Sequence, residues 1–296
     1  MKQSFTSGIT RRQAIVSLGA ITAGAFIKPR SIFGAEPVQK RIRFAVMGDW
    51  GSGDNSENRV ISRMTENHKG RAFDFVIGAG DNIYPDGSGS HFERNFEMPF
   101  AGFIKDKIQF YTVLGNHDVH QGRQDECSYP LFNMGGGCYY TLKKGDGLAE
   151  FFMLDSTDFS REQALWLDGA LKASTALWKI AVFHHPIYSS GKTHGSDLNL
   201  RKKLEPILTK YGVKVGLSGH DHIYERTKPR NGIQYFVTGA GGKVRHNGTD
   251  LSDPLREVSF DDDNHFMVIE IDEKQFAFQA VSEDGKVVDS GAVKQG

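Results

Sequence analysis

From Arg41 onward the apolar residues fall in short runs, each closed by a polar turn. The runs cover residues 42–47, 73–79, 109–114, 150–154, 178–183, 213–217, 234–237, 266–271 and 276–281. They are rich in Val, Ile and Phe and have the lengths of buried strands. Between several of them the apolar positions recur at helical spacing. Residues 58–68 place Val60, Ile61 and Met64 on one face. Ser160 followed by Gln163 reads as a capped helix start, and Ala164, Leu165, Leu167 and Leu171 continue the stripe. Residues 198–211 form another amphipathic helix, expected to be interrupted at Pro206. Strands alternating with helices predict an α/β domain. The last third, from Ile233, is strand after strand, with Asn231-Gly232 and Asp284-Gly285 as turns. A mixed sheet, or a second sheet packed on the first, is expected there. Residues 85–90 and 135–137 read as loops facing a site.

Composition adds little except at the N-terminus. The 296 residues are 39% hydrophobic and 24% charged, with no formal net charge, as in an ordinary globular protein. That neutrality hides an asymmetry. Residues 1–35 contain Lys2, Arg11, Arg12, Lys28 and Arg30 and no acid, so the remainder carries 31 basic against 36 acidic side chains. A mildly acidic body without a basic, aromatic stripe argues against nucleic acid as a partner. It would also repel phosphorylated substrates unless bound cations invert the local field. Arg11-Arg12 precede an apolar stretch at 14–27 that is too short to span a bilayer comfortably. Paired arginines before such a stretch resemble a bacterial twin-arginine export signal. The expected organisation is therefore a signal at 1–35 and one catalytic domain at 36–296, periplasmic or secreted, with no stable membrane partner beyond export. Cys127 and Cys138 are expected to form a disulfide closing a short loop, since an exported protein meets an oxidising compartment.

The chemistry lies just past the strands. The first run ends in Gly48-Asp49-Trp50-Gly51 and the second in Gly80-Asp81-Asn82-Ile83-Tyr84. The third ends in Gly115-Asn116-His117-Asp118, the fifth in His184-His185-Pro186 and the sixth in Gly219-His220-Asp221-His222. Ligands bind in the crevice at the carboxyl ends of strands in α/β sheets, and a glycine lets the chain turn and aim the next side chain there. Each piece alone is weak, because Gly-Asp is a common turn. Their joint occurrence at five strand ends is not explained by chance. Carboxylate, amide, phenol and imidazole together suit ions such as Fe, Mn and Zn. Two aspartates, an asparagine and three histidines exceed what one ion needs, so two closely spaced ions are implied.

These five motifs, in this order, resemble those of the calcineurin-like metallophosphoesterases. Tyr84, in the pattern Gly-Asp-x-x-Tyr, resembles the mark of the purple acid phosphatases, and the chain is similar to their small, tartrate-resistant type. The resemblance implies a sandwich of two mixed β-sheets flanked by helices. It implies that Asp49, Tyr84 and His222 bind Fe(III), that Asn116, His184 and His220 bind a second divalent ion (Fe(II), Zn or Mn), and that Asp81 bridges them. It further implies His117 as the acid beside the leaving group, oriented by Asp118, and His194 as a histidine contacting substrate phosphate. Small-molecule or peptide phosphate esters are the substrates to expect. The reaction would be attack on phosphorus by a hydroxide generated at the metals, with proton donation by His117. Read without the family, Tyr84 is a packed aromatic and the site a plain Mn- or Zn-type phosphodiesterase; a protein that binds phosphorylated ligands without turnover is the rival outside the enzymes.

Overall fold

The computed structural model describes residues 40–295; the expected export signal lies outside them. Two β-sheets pack face to face between helices. The first sheet has the order β13-β12-β11-β1-β2-β3, built from β1 (Ile42–Met47), β2 (Phe75–Gly78), β3 (Gln109–Thr112), β11 (His265–Ile271), β12 (Gln275–Ser282) and β13 (Val287–Lys294). The second has the order β10-β8-β9-β7-β6-β5-β4, from β4 (Tyr140–Lys144), β5 (Ala149–Met153), β6 (Trp178–Val182), β7 (Val215–Ser218), β8 (Tyr224–Thr227), β9 (Gln234–Thr238) and β10 (Arg256–Phe260). Strands β1, β2 and β3 run parallel, as do β5, β6, β7 and β9. The remaining strands pair antiparallel at the flanks, so both sheets are mixed, as expected.

The alternation of side chains along each strand explains the layering. Phe44, Val46, Phe75, Ile77, Phe151, Met153, Ile180, Val182, Leu217 and Phe236 point inward and are buried between the sheets. Their neighbours Ala45, Met47 and Val76 face outward, toward helix α1 (Asn55–Gly70) and a helical stretch around 92–105. On the other side Phe152, Ala181 and Phe183 meet Leu167 and Leu171 of α4 (Arg161–Ala173) and Leu200, Leu204 and Leu208 of α5 (Leu198–Lys210). Short helices α2 (Ala101–Lys105) and α3 (Arg123–Ser128) complete the set.

Several expectations change. Strands β4, β8, β10 and β13 carry no continuous apolar run; β4, β10 and β13 are sheet edges, where one face meets water and polar residues are favoured. Helix α5 passes through Pro206 without interruption. Leu204 and Leu208, buried on either side of it, hold the helix on the second sheet against the loss of one hydrogen bond. Two short helical segments, Glu93–Glu97 and Ala101–Lys105, joined by a turn, form here because Phe92, Phe96, Phe100 and Phe103 make a buried stripe around Trp50 and Phe110. The cap at Ser160 is as expected, its Oγ accepting from the Gln163 amide at 3.1 Å. Cys127 and Cys138 are joined in a disulfide, with Cα atoms 5.5 Å apart.

Candidate metal centre

The parallel strands of both sheets end at the same edge of the sandwich, and the loops that follow them converge there. After β1 comes Asp49, after β2 Asp81 and Tyr84, after β3 Asn116 and His117. From the second sheet, the loop after β6 brings His184 and the loop after β7 brings His220 and His222. Three of these residues, Asp49, Asp81 and His220, sit at positive φ (56°, 51° and 70°). Non-glycine residues adopt that region at a cost, and it is held where the surroundings over-determine it. The turn expected at the preceding glycine is present at Gly80, which sits at φ 89°, whereas Gly48, Gly115 and Gly219 are not at positive φ. What these three allow is close approach. A Cβ on Gly219 would overlap Asp49 Oδ2, and one on Gly115 would overlap Asp81.

The side chains form two groups around one carboxylate. Ligand atoms of Asp49, Asp81 and His222 lie within 4.8 Å of one another, and so do those of His184, His185 and His220. The Tyr84 hydroxyl lies 3.0 Å from Asp81 Oδ2, 3.3 Å from Asp49 Oδ1 and 3.3 Å from His222 Nε2. His184 Nε2 lies 3.2 Å from Asn116 Oδ1 and 3.4 Å from the other Asp81 oxygen, Oδ1. Asp81 therefore turns one oxygen to each group. His184 Nδ1 lies 2.9 Å from the Ala79 carbonyl; a carbonyl only accepts, so Nδ1 carries the proton and Nε2 presents its lone pair inward. Its neighbour His185 is turned to Ser156 Oγ at 2.9 Å through Nδ1 and stands at the rim beside His220.

The electrostatics of this donor set fit bound cations. Burial, then the charge of Asp81, pushes the Asp49 carboxyl well above its ordinary range. Burial, then Asp49 and Asp81, pushes the Tyr84 phenol up. Burial, then the neighbouring His185, drives His184 well down. His220 is lowered to about 2, by burial first and then His184, and His222 to about 4, by burial first and then Arg245. Crowded carboxylates that repel one another, facing imidazoles with free lone pairs, are relieved by positive charge between them. The seven expected ligands are brought together as two sets sharing Asp81, which fits two ions.

The histidines outside the ligand set are placed as follows. His194 lies against His220, ring centroids 4.1 Å apart. His117 lies tilted against Tyr84, ring centroids 4.5 Å apart, and its Nδ1 lies 2.7 Å from the Pro85 carbonyl. Asp118 was expected to orient His117, and the structure corrects this. Asp118 is fully buried and accepts from the Ile83 and Gly115 amides, at 3.1 and 2.7 Å, and from Asn82 Nδ2 at 3.0 Å. It ties the second and third loops together, while the Pro85 carbonyl holds the His117 ring.

Four supporting residues escaped the sequence reading. Ser156 Oγ accepts from the His184 and His185 amides at 3.1 and 3.0 Å. It follows β5 as the ligand loops follow theirs, a signal that could have found it. Asn82 Nδ2 reaches the Val113 carbonyl, Asp118 and the buried Glu126. Glu126 carries no sequence signal at all; burial first, then Asp118, pushes its carboxyl well up. Asp221 accepts from Ser189 Oγ at 2.6 Å and from the His194 and Gly195 amides, fixing that loop to the histidine turn.

Comparison with known proteins agrees with this geometry. Residues 42–224 match the family model of the calcineurin-like phosphoesterases. Purple acid phosphatase 17 of Arabidopsis thaliana is 31% identical over 250 residues, covering 74% of this chain and 72% of that protein. Tartrate-resistant acid phosphatase type 5 of Rattus norvegicus is 29% identical over 289 residues, covering 83% and 88%. The solved structure of the purple acid phosphatase PPD1 from yellow lupin shares the fold, with a TM-score of 0.73 at 18% identity over 86% of this chain and 54% of that one. The chain belongs to the calcineurin-like phosphoesterase family and, within it, to the purple acid phosphatases, dimetal hydrolases of phosphate esters.

Proposed function

We propose that this phosphatase holds a ferric ion through Asp49, Tyr84 and His222 and a divalent Fe, Zn or Mn ion through Asn116, His184 and His220, with Asp81 between them and His117 as general acid. The observation that carries the reading is the Tyr84 hydroxyl, directed at Asp49, Asp81 and His222 within 3.3 Å. A phenol aimed into a donor set is a ligand for a hard, strongly acidic ion such as Fe(III). When bound, the two ions acidify water near neutral pH and neutralise the charge of the phosphate.

The protein's own groups do the rest. The Pro85 carbonyl holds the proton of His117 on Nδ1 and leaves Nε2 as the atom that gives a proton to the departing oxygen. His194, packed on His220, is set to contact phosphate oxygens on the side of the second ion. Asp118, Asn82 and Ser156 keep the loops in register through buried hydrogen bonds. Small-molecule or peptide phosphate esters are the substrates. The visible spectrum of aerobically purified protein tests the metal assignment. A purple or pink band that Tyr84→Phe abolishes supports tyrosinate on ferric iron. A colourless, metal-loaded, active enzyme makes Tyr84 a packing residue and the centre a Mn- or Zn-type one.

Export by the twin-arginine route is part of the proposal. Arg11-Arg12 before the apolar stretch 14–27 support it, and the Cys127–Cys138 disulfide suits an oxidising compartment. Cell fractionation of an Arg11→Lys, Arg12→Lys variant is expected to leave the protein in the cytoplasm.

A further inference from the structure

A depression of about 670 Å³ opens beside the metal centre, with Tyr84, His117 and His222 at one end and Arg59, Asp54 and Asp263 at the other. Its wall is the loop after β9, which carries Lys243 and Arg245. That loop is bolted to the ligand-bearing segments. The Gly241 amide donates to the Gly48 carbonyl at 3.0 Å, Gly242 to Asp49 at 2.9 Å and Arg245 to His222 at 2.9 Å. The two cations are therefore positioned by the same backbone that positions the metal ligands.

Among the described residues, nothing engages the charge of either cation, the Lys243 ammonium or the Arg245 guanidinium, by hydrogen bond or ion pair. Lys243 Nζ stands over the Tyr84 ring, 3.6 Å from its centroid, which fixes the charge at the mouth of the centre. Arg245 is exposed, and its charge is felt by both His222 and His194. The far end differs. Arg59 is paired with Glu283 at 2.5 Å and has Asp263 and Asp54 nearby. The depression is thus positive next to the candidate metal centre and balanced or acidic away from it.

His117 lines the same depression, so a leaving alcohol protonated by His117 projects into it. We propose that Lys243 and Arg245 form a subsite for a second anionic group on the leaving alcohol, which selects phosphate monoesters that also carry a carboxylate or another phosphate. This rests on the phosphatase reading and on His117 as the acid. The chemistry is ordinary ester hydrolysis: water oxygen bonds to phosphorus, the ester P–O bond breaks, and its electron pair leaves on the alcohol oxygen, which takes a proton.

The test compares phenyl phosphate with 3-carboxyphenyl phosphate on the metal-loaded enzyme. Calorimetric binding of the matching non-hydrolysable phenylphosphonates runs alongside. The carboxylate is expected to raise kcat/KM about tenfold, chiefly through KM, and to tighten phosphonate binding similarly, as for a charge-assisted contact. The advantage shrinks in about 0.5 M sodium chloride, because the subsite is open to solvent. In a Lys243→Met, Arg245→Gln variant the ratio between the two ligands falls to near one. No preference in the wild type, or one that survives the double substitution, overturns the subsite. Failure to hydrolyse either ester counts against the phosphatase reading instead, and the phosphonate pair still reports on the subsite.

Discussion

The two sheets supply different chemistry to one centre. Loops of the first sheet bring Asp49, Asp81, Tyr84 and Asn116, all oxygen donors; loops of the second bring His184, His220 and His222, all nitrogen donors. Oxygen donors favour a hard ion and imidazoles a borderline one, so one ion per sheet would be the simple arrangement. The geometry crosses over. His222 points to Tyr84 and Asp49, and Asn116 points to His184. The group of Asp49, Tyr84 and His222 takes side chains from both sheets, and the histidines of the second sheet meet Asn116 and Asp81 of the first, so neither proposed set is complete unless the sandwich is closed. Metal binding and sheet packing are therefore one equilibrium, and ions stabilise the folded state by mass action.

The comparison is most severely tested at Asp81, whose two oxygens serve both groups. Asp81→Asn is expected to lower the content of both metals and reduce turnover by more than about 10³-fold; two ions retained by elemental analysis would show that the groups are independent. Next in size is His117, fixed by the first sheet's loops but acting on the leaving group. His117→Ala is expected to cost about 10²–10⁴-fold in kcat on an alkyl phosphate. The cost should be much less on 4-nitrophenyl phosphate, which departs without a proton; equal losses on both would remove the acid role. The crossing itself is read by His184→Ala against His222→Ala. The first should lose the divalent ion and keep the visible band, whereas the second should lose the band. Both substitutions remove a second-sheet residue, so identical outcomes would mean the ions partition by sheet after all.

The smallest effect lies outside the centre. Burial lowers the buried His265 imidazole to about 3, against 6.5 in the unfolded chain. Between those values the unfolded state binds more protons, so stability is full above pH 6.5 and is lost as pH falls toward 3. His265→Gln is expected to flatten the dependence of Tm on pH between about pH 4 and 6.5, relative to the wild type at equal metal content. An unchanged slope would mean that His265 takes up its proton without unfolding.

Much of this was legible because the chemistry sits where strands stop. The apolar runs located β1, β2, β3, β5, β6, β7, β9, β11 and β12, and the polar residues just beyond five of them supplied the seven proposed ligands. Edge strands β4, β10 and β13 were not legible, since a half-exposed strand has no continuous apolar run. The four phenylalanines of residues 92–103 were spaced for a helix and went unread beside the glycine-rich loop that precedes them. The orientation of His117 was misassigned to Asp118, because adjacency in sequence says nothing about where a buried carboxylate finds its donors.

By itself the sequence determined the α/β class and the family and pointed to the proposed donors, because periodicity and motif spacing are local properties of the chain. Only the tertiary structure decided how the proposed donors divide into two groups, which nitrogen of His184 faces inward, what holds His117, and that Lys243 and Arg245 stand at the rim with no ion-pair partner among the described residues. Each of these depends on contacts between loops far apart in the chain, and their geometry is set only when the two sheets close on a common core.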